Sequence, residues 1–225
     1  MPDSPTKRID PSEPLPPQAV EFSAKVHALL DGTGKDDATV EQALQGCEGM
    51  FDIIAAGLYT LASMLIGEGE ESIQATETAV ANAEVSACTE PEQARRSSRR
   101  ALAEAALSVL RKRNPGSLVP PPDLQPGQTC IEEDDLSSTG ISHQELEGML
   151  SGPDRQRVRT WLEGLRTDVR VIFVLRAVAG FSSPDVAELL TRFGGPQASG
   201  WTADAVREVF RQGLCSLASQ LIHAV

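Results

Sequence analysis

The sequence predicts an all-α protein made of two small helical domains joined by a proline-rich acidic linker. Apolar residues recur at helical spacing along most of the chain. The strand-like stretch at 171–175, VIFVL, has no partner strand signal elsewhere, so we assign it to a helix. The segment 114–142 holds five prolines and three glycines but no lysine or arginine, which indicates an extended connection between domains.

The 225-residue chain has a globular composition, with 40% apolar residues and a net charge of −12. It has no run of about eighteen apolar residues and no apolar N-terminal signal, so we expect no membrane span and a cytoplasmic location. The dispersed cysteines predict reduced, structural thiols and no metal site; these are Cys47, Cys88, Cys130 and Cys215. No phosphate-binding glycine loop or nucleophile motif occurs, so we expect neither enzymatic activity nor a cofactor.

The first half of the chain predicts a disordered, proline-rich leader at 1–17 followed by a helical domain at 18–113. In that domain, Phe51–Ile66 is nearly all apolar and too short to cross a bilayer, which predicts a buried central helix. The alanine-rich stretch Ile73–Val85 predicts a helix packed on it. A third helix begins at Pro91 and ends in a basic last turn, which suits the helix dipole.

The second half predicts a helical domain at 143–225. Helices are expected at Val158–Leu165 and Arg170–Val178, and a shorter one follows Ser182, which with Asp185 forms a capping box. Thr202 is a plausible N-cap for the closing helix. A supporting helix, a short helix and a longer closing helix separated by turns are the plan of a helix-turn-helix unit, whose last helix enters the DNA major groove.

The predicted DNA contacts lie on the closing helix and on the third helix. On the closing helix the apolar stripe leaves polar side chains facing solvent, where they can reach phosphates or base edges. Residues 92–113 carry seven basic and two acidic groups within an otherwise acidic chain. This cluster is either a phosphate-contacting surface or a solvated face that balances the acidic N-terminal half. The predicted contacts are Thr202, Arg207, Arg211, Gln212, Arg95, Arg96, Arg99, Arg100, Arg111, Lys112 and Arg113.

The stretch Val158–Leu190 resembles region four of bacterial sigma factors, particularly the extracytoplasmic-function group. In that family a leucine ends the first helix, an arginine precedes an apolar run, and a Leu-Arg pair, a glycine turn and an acidic-apolar helix follow. The matching residues are Leu165, Arg170, Ile172, Phe173, Leu175, Arg176, Gly180, Phe181, Ser182, Asp185, Val186, Ala187, Glu188, Leu189 and Leu190. The resemblance implies a sigma factor that directs RNA polymerase to promoter DNA.

The resemblance continues into Leu58–Val80, which is similar to sigma region two. There the family carries a Gln-Glu-Thr helix that docks on the polymerase clamp, and Glu77 and Thr78 match its last two residues. The resemblance therefore implies polymerase contacts at Gln74, Glu77 and Thr78. It also implies core RNA polymerase and promoter DNA as partners, with an anti-sigma factor as a further one. The linker would pass through the polymerase toward the RNA path.

Two departures from the family favour an alternative function. The segment NAEVSACTEPEQ lacks the aromatic and basic residues that would capture a melted promoter base. The turn TRFGGPQASGW is several residues longer than the family's, and Asp204 and Glu208 on the closing helix would repel phosphate. The alternative is a sigma-like interaction module that binds polymerase or a regulator without opening promoters. Promoter reading further requires that Arg207 and Arg211 point outward from an uncovered helix.

Overall fold

The computed structural model describes residues 54–82, 91–122 and 129–222, which all fall within one compact unit, Met50–Val225. These residues form helices and turns and contain no strand, which confirms the all-α class. None of their helices combines the length and apolar content that crossing a bilayer requires. The predictions for the leader 1–17 and for residues 18–53 lie outside the described residues.

Three helices form the first part of the described fold: α1 at residues 54–66, α2 at Glu70–Ala81 and α3 at Pro91–Arg113. Helix α1 buries Leu58, Leu61 and Leu65, as its apolar pattern predicts. Helices α2 and α3 pack against each other, and the small, fully buried Ala79 permits their close approach. Gly67 adopts a left-handed φ of 87° in the connection between α1 and α2.

Five helices follow: α4 at His143–Ser151, α5 at Arg155–Gly164, α6 at Thr167–Phe173, α7 at Ser183–Phe193 and α8 at Ala203–Ile222. A π-helical turn, Val174–Val178, continues α6, and Ala179 N–H donates to the Val174 carbonyl at 2.9 Å. The predicted helix Arg170–Val178 therefore begins earlier, at Thr167, and changes from α-helical to π-helical hydrogen bonding at Val174. Helix α4 was not among the predicted helices, although Ser142 and Glu145 form a capping box at its start.

The predicted linker, residues 114–142, differs from an extended connection between two separate domains. Its described residues include buried Leu118 and Leu136 and a short 3₁₀-helix, Leu136–Thr139. Trp201, which precedes α8, donates from its indole Nε1 to the Leu118 carbonyl at 2.7 Å. The reason is burial: Leu118, Leu136 and Trp201 join the same apolar core as the flanking helices. Nothing in the described residues separates a domain ending at 113 from one beginning at 143.

Candidate nucleic-acid interface

The sequence predicts a helix-turn-helix unit in the region of helices α6, α7 and α8. Helix α8 packs against both α6 and α7. At the start of α7, Asp185 N–H donates to Ser182 Oγ at 3.3 Å and Ser182 N–H donates to the Asp185 carboxylate, which confirms the predicted capping box. Thr202 Oγ1 accepts from Ala205 N–H at 3.1 Å, so this predicted DNA contact also caps α8.

The outer face of α8 is covered over most of its length. Between positions 205 and 218 every residue of the helix is buried or half-buried. Gln212 is half-buried, and the side chain of Arg207 is 40% exposed. The expectation that this face stands open to solvent is wrong for this structure. The reason is that a segment from the predicted linker lies against it.

Arg211 is directed into the protein and not toward solvent. Its side chain is 23% exposed, and Nη1 donates to Glu208 Oε2 at 3.0 Å. Glu208 is itself buried, with a side chain 7% exposed. Arg211 Nε is buried without a hydrogen-bond partner. The two side chains form an ion pair within the fold, so the prediction that Arg211 faces outward is wrong here.

The acidic segment, defined as residues 130–135 (CIEEDD), contacts α8 through a covalent bond and an ion pair. Cys130 forms a disulfide with Cys215 of α8, with 5.8 Å between their Cα atoms. The expectation of reduced, unpaired thiols is therefore wrong for these two residues, because the fold brings positions 85 apart in sequence to bonding distance. Asp134 Oδ2 lies 3.8 Å from Arg207 Nε. Cys47 and Cys88 lie outside the described residues.

Arg176, a member of the Leu-Arg pair of the resemblance, connects the acidic segment to the helix-turn-helix unit. Its Nη1 donates to Asp134 Oδ2 at 2.8 Å and to Ser183 Oγ at 2.6 Å, and its Nη2 donates to the Asp134 carbonyl at 3.2 Å. The guanidinium carbon lies 4.4 Å from the ring centre of Phe210. The hydrogen bond from Arg176 lowers the pKa of Asp134, and the charge of Arg207 adds to this effect.

The lowered pKa of Asp134 predicts a pH-dependent contribution to stability. Because the pKa is lower in the folded state, this contribution is present above the unfolded-state pKa of about 3.9 and is lost as pH falls through the folded-state value. We expect Asp134→Asn to lower the free energy of unfolding at pH 7 and to have a smaller effect at pH 3, where part of the contribution has been lost. Urea unfolding of both proteins between pH 7 and pH 3 measures this. A difference that stays constant with pH would contradict the assignment.

The basic cluster of α3 is divided between solvent and internal contacts. Arg96 and Lys112 are exposed, and exposed Arg95 pairs with Glu92 at 3.0 Å. Arg99 Nη1 donates to the Ala179 carbonyl at 3.2 Å, and burial lowers the pKa of Arg99.

The remaining basic residues of α3 also contact the protein. Arg100 Nη2 pairs with Glu188 of α7 at 2.8 Å. Arg113 donates to the Ile66 carbonyl at 2.5 Å and pairs with Glu71, and half-buried Arg111 lies close to Gly195. Arg99, Arg100 and Arg113 therefore hold α3 against its neighbours. Together with half-buried Arg111, they do not form one free cationic surface with Arg95, Arg96 and Lys112.

The outer face of α2 is open. The predicted polymerase contacts Gln74, Glu77 and Thr78 are all exposed, and Ile73 beside them is 43% exposed. Gln74 Nε2 donates to Glu70 Oε1 at 3.1 Å, an interaction within the same face. This face therefore presents one apolar side chain surrounded by polar and acidic ones. A single exposed apolar side chain is common on folded proteins, so Ile73 does not by itself mark a partner contact.

No local sequence pattern indicates which residues cover α8. The acidic segment is evident from its composition, but no neighbouring residue in the sequence indicates that Asp134 pairs with Arg176 and Arg207. The cysteines were the only available signal, and scattered spacing cannot identify a pair. Within the described residues no group of three potential metal ligands comes together. No protein-family model, curated protein or solved structure matches the chain.

Proposed function

We propose that this chain is a sigma-like protein of transcription initiation that binds core RNA polymerase through the outer face of α2. The observation that carries this proposal is the exposed Ile73 beside Gln74, Glu77 and Thr78, at the place where the sequence resembles the clamp-binding element of sigma factors. A partner with a basic surface and a small apolar socket would complement this face. A sigma factor and a sigma-like interaction module would both bind polymerase through this face.

Promoter recognition by the helix-turn-helix unit is the second part of the proposal. The capped α7 and the packing of α8 on α6 and α7 support it. DNA reading by α8 would require the acidic segment to move, because Arg207 and Arg211 are engaged within the protein. The covered face favours the interaction module as the activity of the conformation described here, with promoter binding confined to an opened state.

The polymerase step is tested by retention of bacterial core RNA polymerase on the immobilised full chain. We expect Ile73→Ser combined with Glu77→Arg to reduce retention at least about tenfold, since the variant removes the apolar contact and reverses a charge at the centre of the face. Both side chains are solvent-exposed, so the far-ultraviolet circular dichroism should not change. Gln144→Arg, on the exposed side of α4, is the matched control.

Equal retention of the double variant and the control would rule out α2 as the docking face. Promoter recognition is tested separately by run-off transcription from a broad promoter library. Polymerase binding without any transcript, under both oxidising and reducing conditions, would leave the interaction module as the function.

A further inference from the structure

The acidic segment lies lengthwise along the face of α8 that was predicted to contact DNA. Positions 207, 211 and 215 are spaced four residues apart and therefore share one face of the helix. The segment is attached at both ends of that row, by the disulfide at Cys215 and by Asp134 at Arg207. The short 3₁₀-helix that follows the segment also contacts α8.

The lengths of the two elements agree with this placement. Eight helical residues from 215 to 207 rise about 12 Å. Four residues from 130 to 134 reach at most about 14 Å when extended. The segment is therefore long enough to span the distance between its attachments at positions 215 and 207.

The carboxylates of the acidic segment carry the same sign of charge as the DNA phosphates that the segment would exclude. Asp134 places a carboxylate between the guanidinium groups of Arg176 and Arg207, at 2.8 Å and 3.8 Å. Carboxylates and phosphates are recognised by arginine through the same charge-assisted hydrogen bonds. Glu132, Glu133 and Asp135 are exposed beside it and add negative charge over the same face. A DNA backbone approaching α8 would meet this charge and be repelled.

We propose that the acidic segment is a reducible cover on α8, which closes the DNA-reading face while the Cys130–Cys215 disulfide is intact and opens it on reduction. This inference rests on the proposed DNA-reading role of α8. Once the disulfide is broken, half-buried Ile131, which packs against the core, and the partly exposed ion pairs of Asp134 remain to hold the segment. Such pairs bind weakly and are screened by salt.

The reduction requires a dithiol as the co-reactant, and Cys130 is solvent-exposed where such a reagent would approach. A thiolate of the dithiol attacks Cys130 Sγ, the S–S bond breaks, and Cys215 leaves as a thiolate that takes a proton. The second thiolate of the reagent then displaces Cys130, which also takes a proton. The reagent ends as a disulfide and the protein as two thiols, with two electrons transferred.

The test measures binding of the full chain to a random-sequence duplex DNA with and without dithiothreitol, alongside hydrogen exchange of residues 129–135. We expect reduction to raise exchange in that segment and to tighten DNA binding at least about tenfold at low salt. Cys130→Ser should bind DNA tightly in both conditions. Cys47→Ser with Cys88→Ser is the matched control and should respond to reductant as the unchanged chain does.

Exchange that does not change on reduction would overturn the cover, whatever the DNA result. Exchange that rises without DNA binding in any form, including Cys130→Ser, would overturn the DNA-reading role, and with it the regulatory meaning of the cover. The two failures are distinguishable because the exchange measurement does not involve DNA. Circular dichroism shows whether each variant has kept its fold. If a variant has lost its fold, the effect of reduction on hydrogen exchange and DNA binding of the unchanged chain tests the proposal.

Discussion

Replacing Phe173 by alanine is expected to lower the free energy of unfolding by about 3–5 kcal/mol. Phe173 ends α6, where its side chain is 1% exposed. Its ring meets Trp161 of α5 edge-on at 5.1 Å between ring centres, and Phe210 of α8 at 5.9 Å. Alanine would remove the group that joins three helices and leave a cavity that the packed neighbours cannot fill.

The close approach of α8 explains why relaxation cannot recover this loss. A Cβ atom built at Gly213 would lie 3.1 Å from Phe173 Cδ2, so the ring lies directly against the helix backbone there. Urea unfolding monitored by circular dichroism measures the effect. Ile222→Ala is the control, since Ile222 is exposed and its truncation should change stability by less than about 0.5 kcal/mol. A loss for Phe173→Ala as small as the control's would contradict the packing described.

Replacing Arg211 by alanine is expected to cost about 3 kcal/mol of stability, because the buried carboxylate of Glu208 would lose its partner. Adding Glu208→Gln should recover part of the loss, since the amide carries no charge to leave uncompensated. Arg207→Ala is the comparison on the same face. Its side chain is more exposed, so we expect a change of at most about 1 kcal/mol.

Equal losses for Arg207→Ala and Arg211→Ala would contradict the difference in burial. The comparison also determines how DNA-binding data should be interpreted. A loss of DNA affinity in Arg211→Ala can follow from a disturbed α8, whereas a loss in Arg207→Ala reports more directly on a contact. Arg207 is therefore the better residue with which to test the DNA-reading role of this helix.

Helices and their ends were predictable because they depend on neighbours in sequence. The apolar run of α1, the capping box of Ser182 with Asp185 and the Thr202 cap all involve residues within four positions of each other. Helix α4 was missed even though Ser142 and Glu145 carry the same local signal. Gln74, Glu77 and Thr78 came from the resemblance to sigma region two, and all three side chains are exposed on α2.

The sequence by itself determined the all-α class, the approximate positions of most described helices and the stripe of apolar residues that α8 buries. Only the tertiary structure decided what lies on the opposite side of α8. The contacts concerned join Cys130 to Cys215 and Asp134 to Arg176 and Arg207, partners that are 42 to 85 positions apart. Periodicity reports which side of a helix is apolar, but it contains no information about which distant charged segment packs on the polar side. The covered face of α8 is therefore a property of the fold, not of the local sequence.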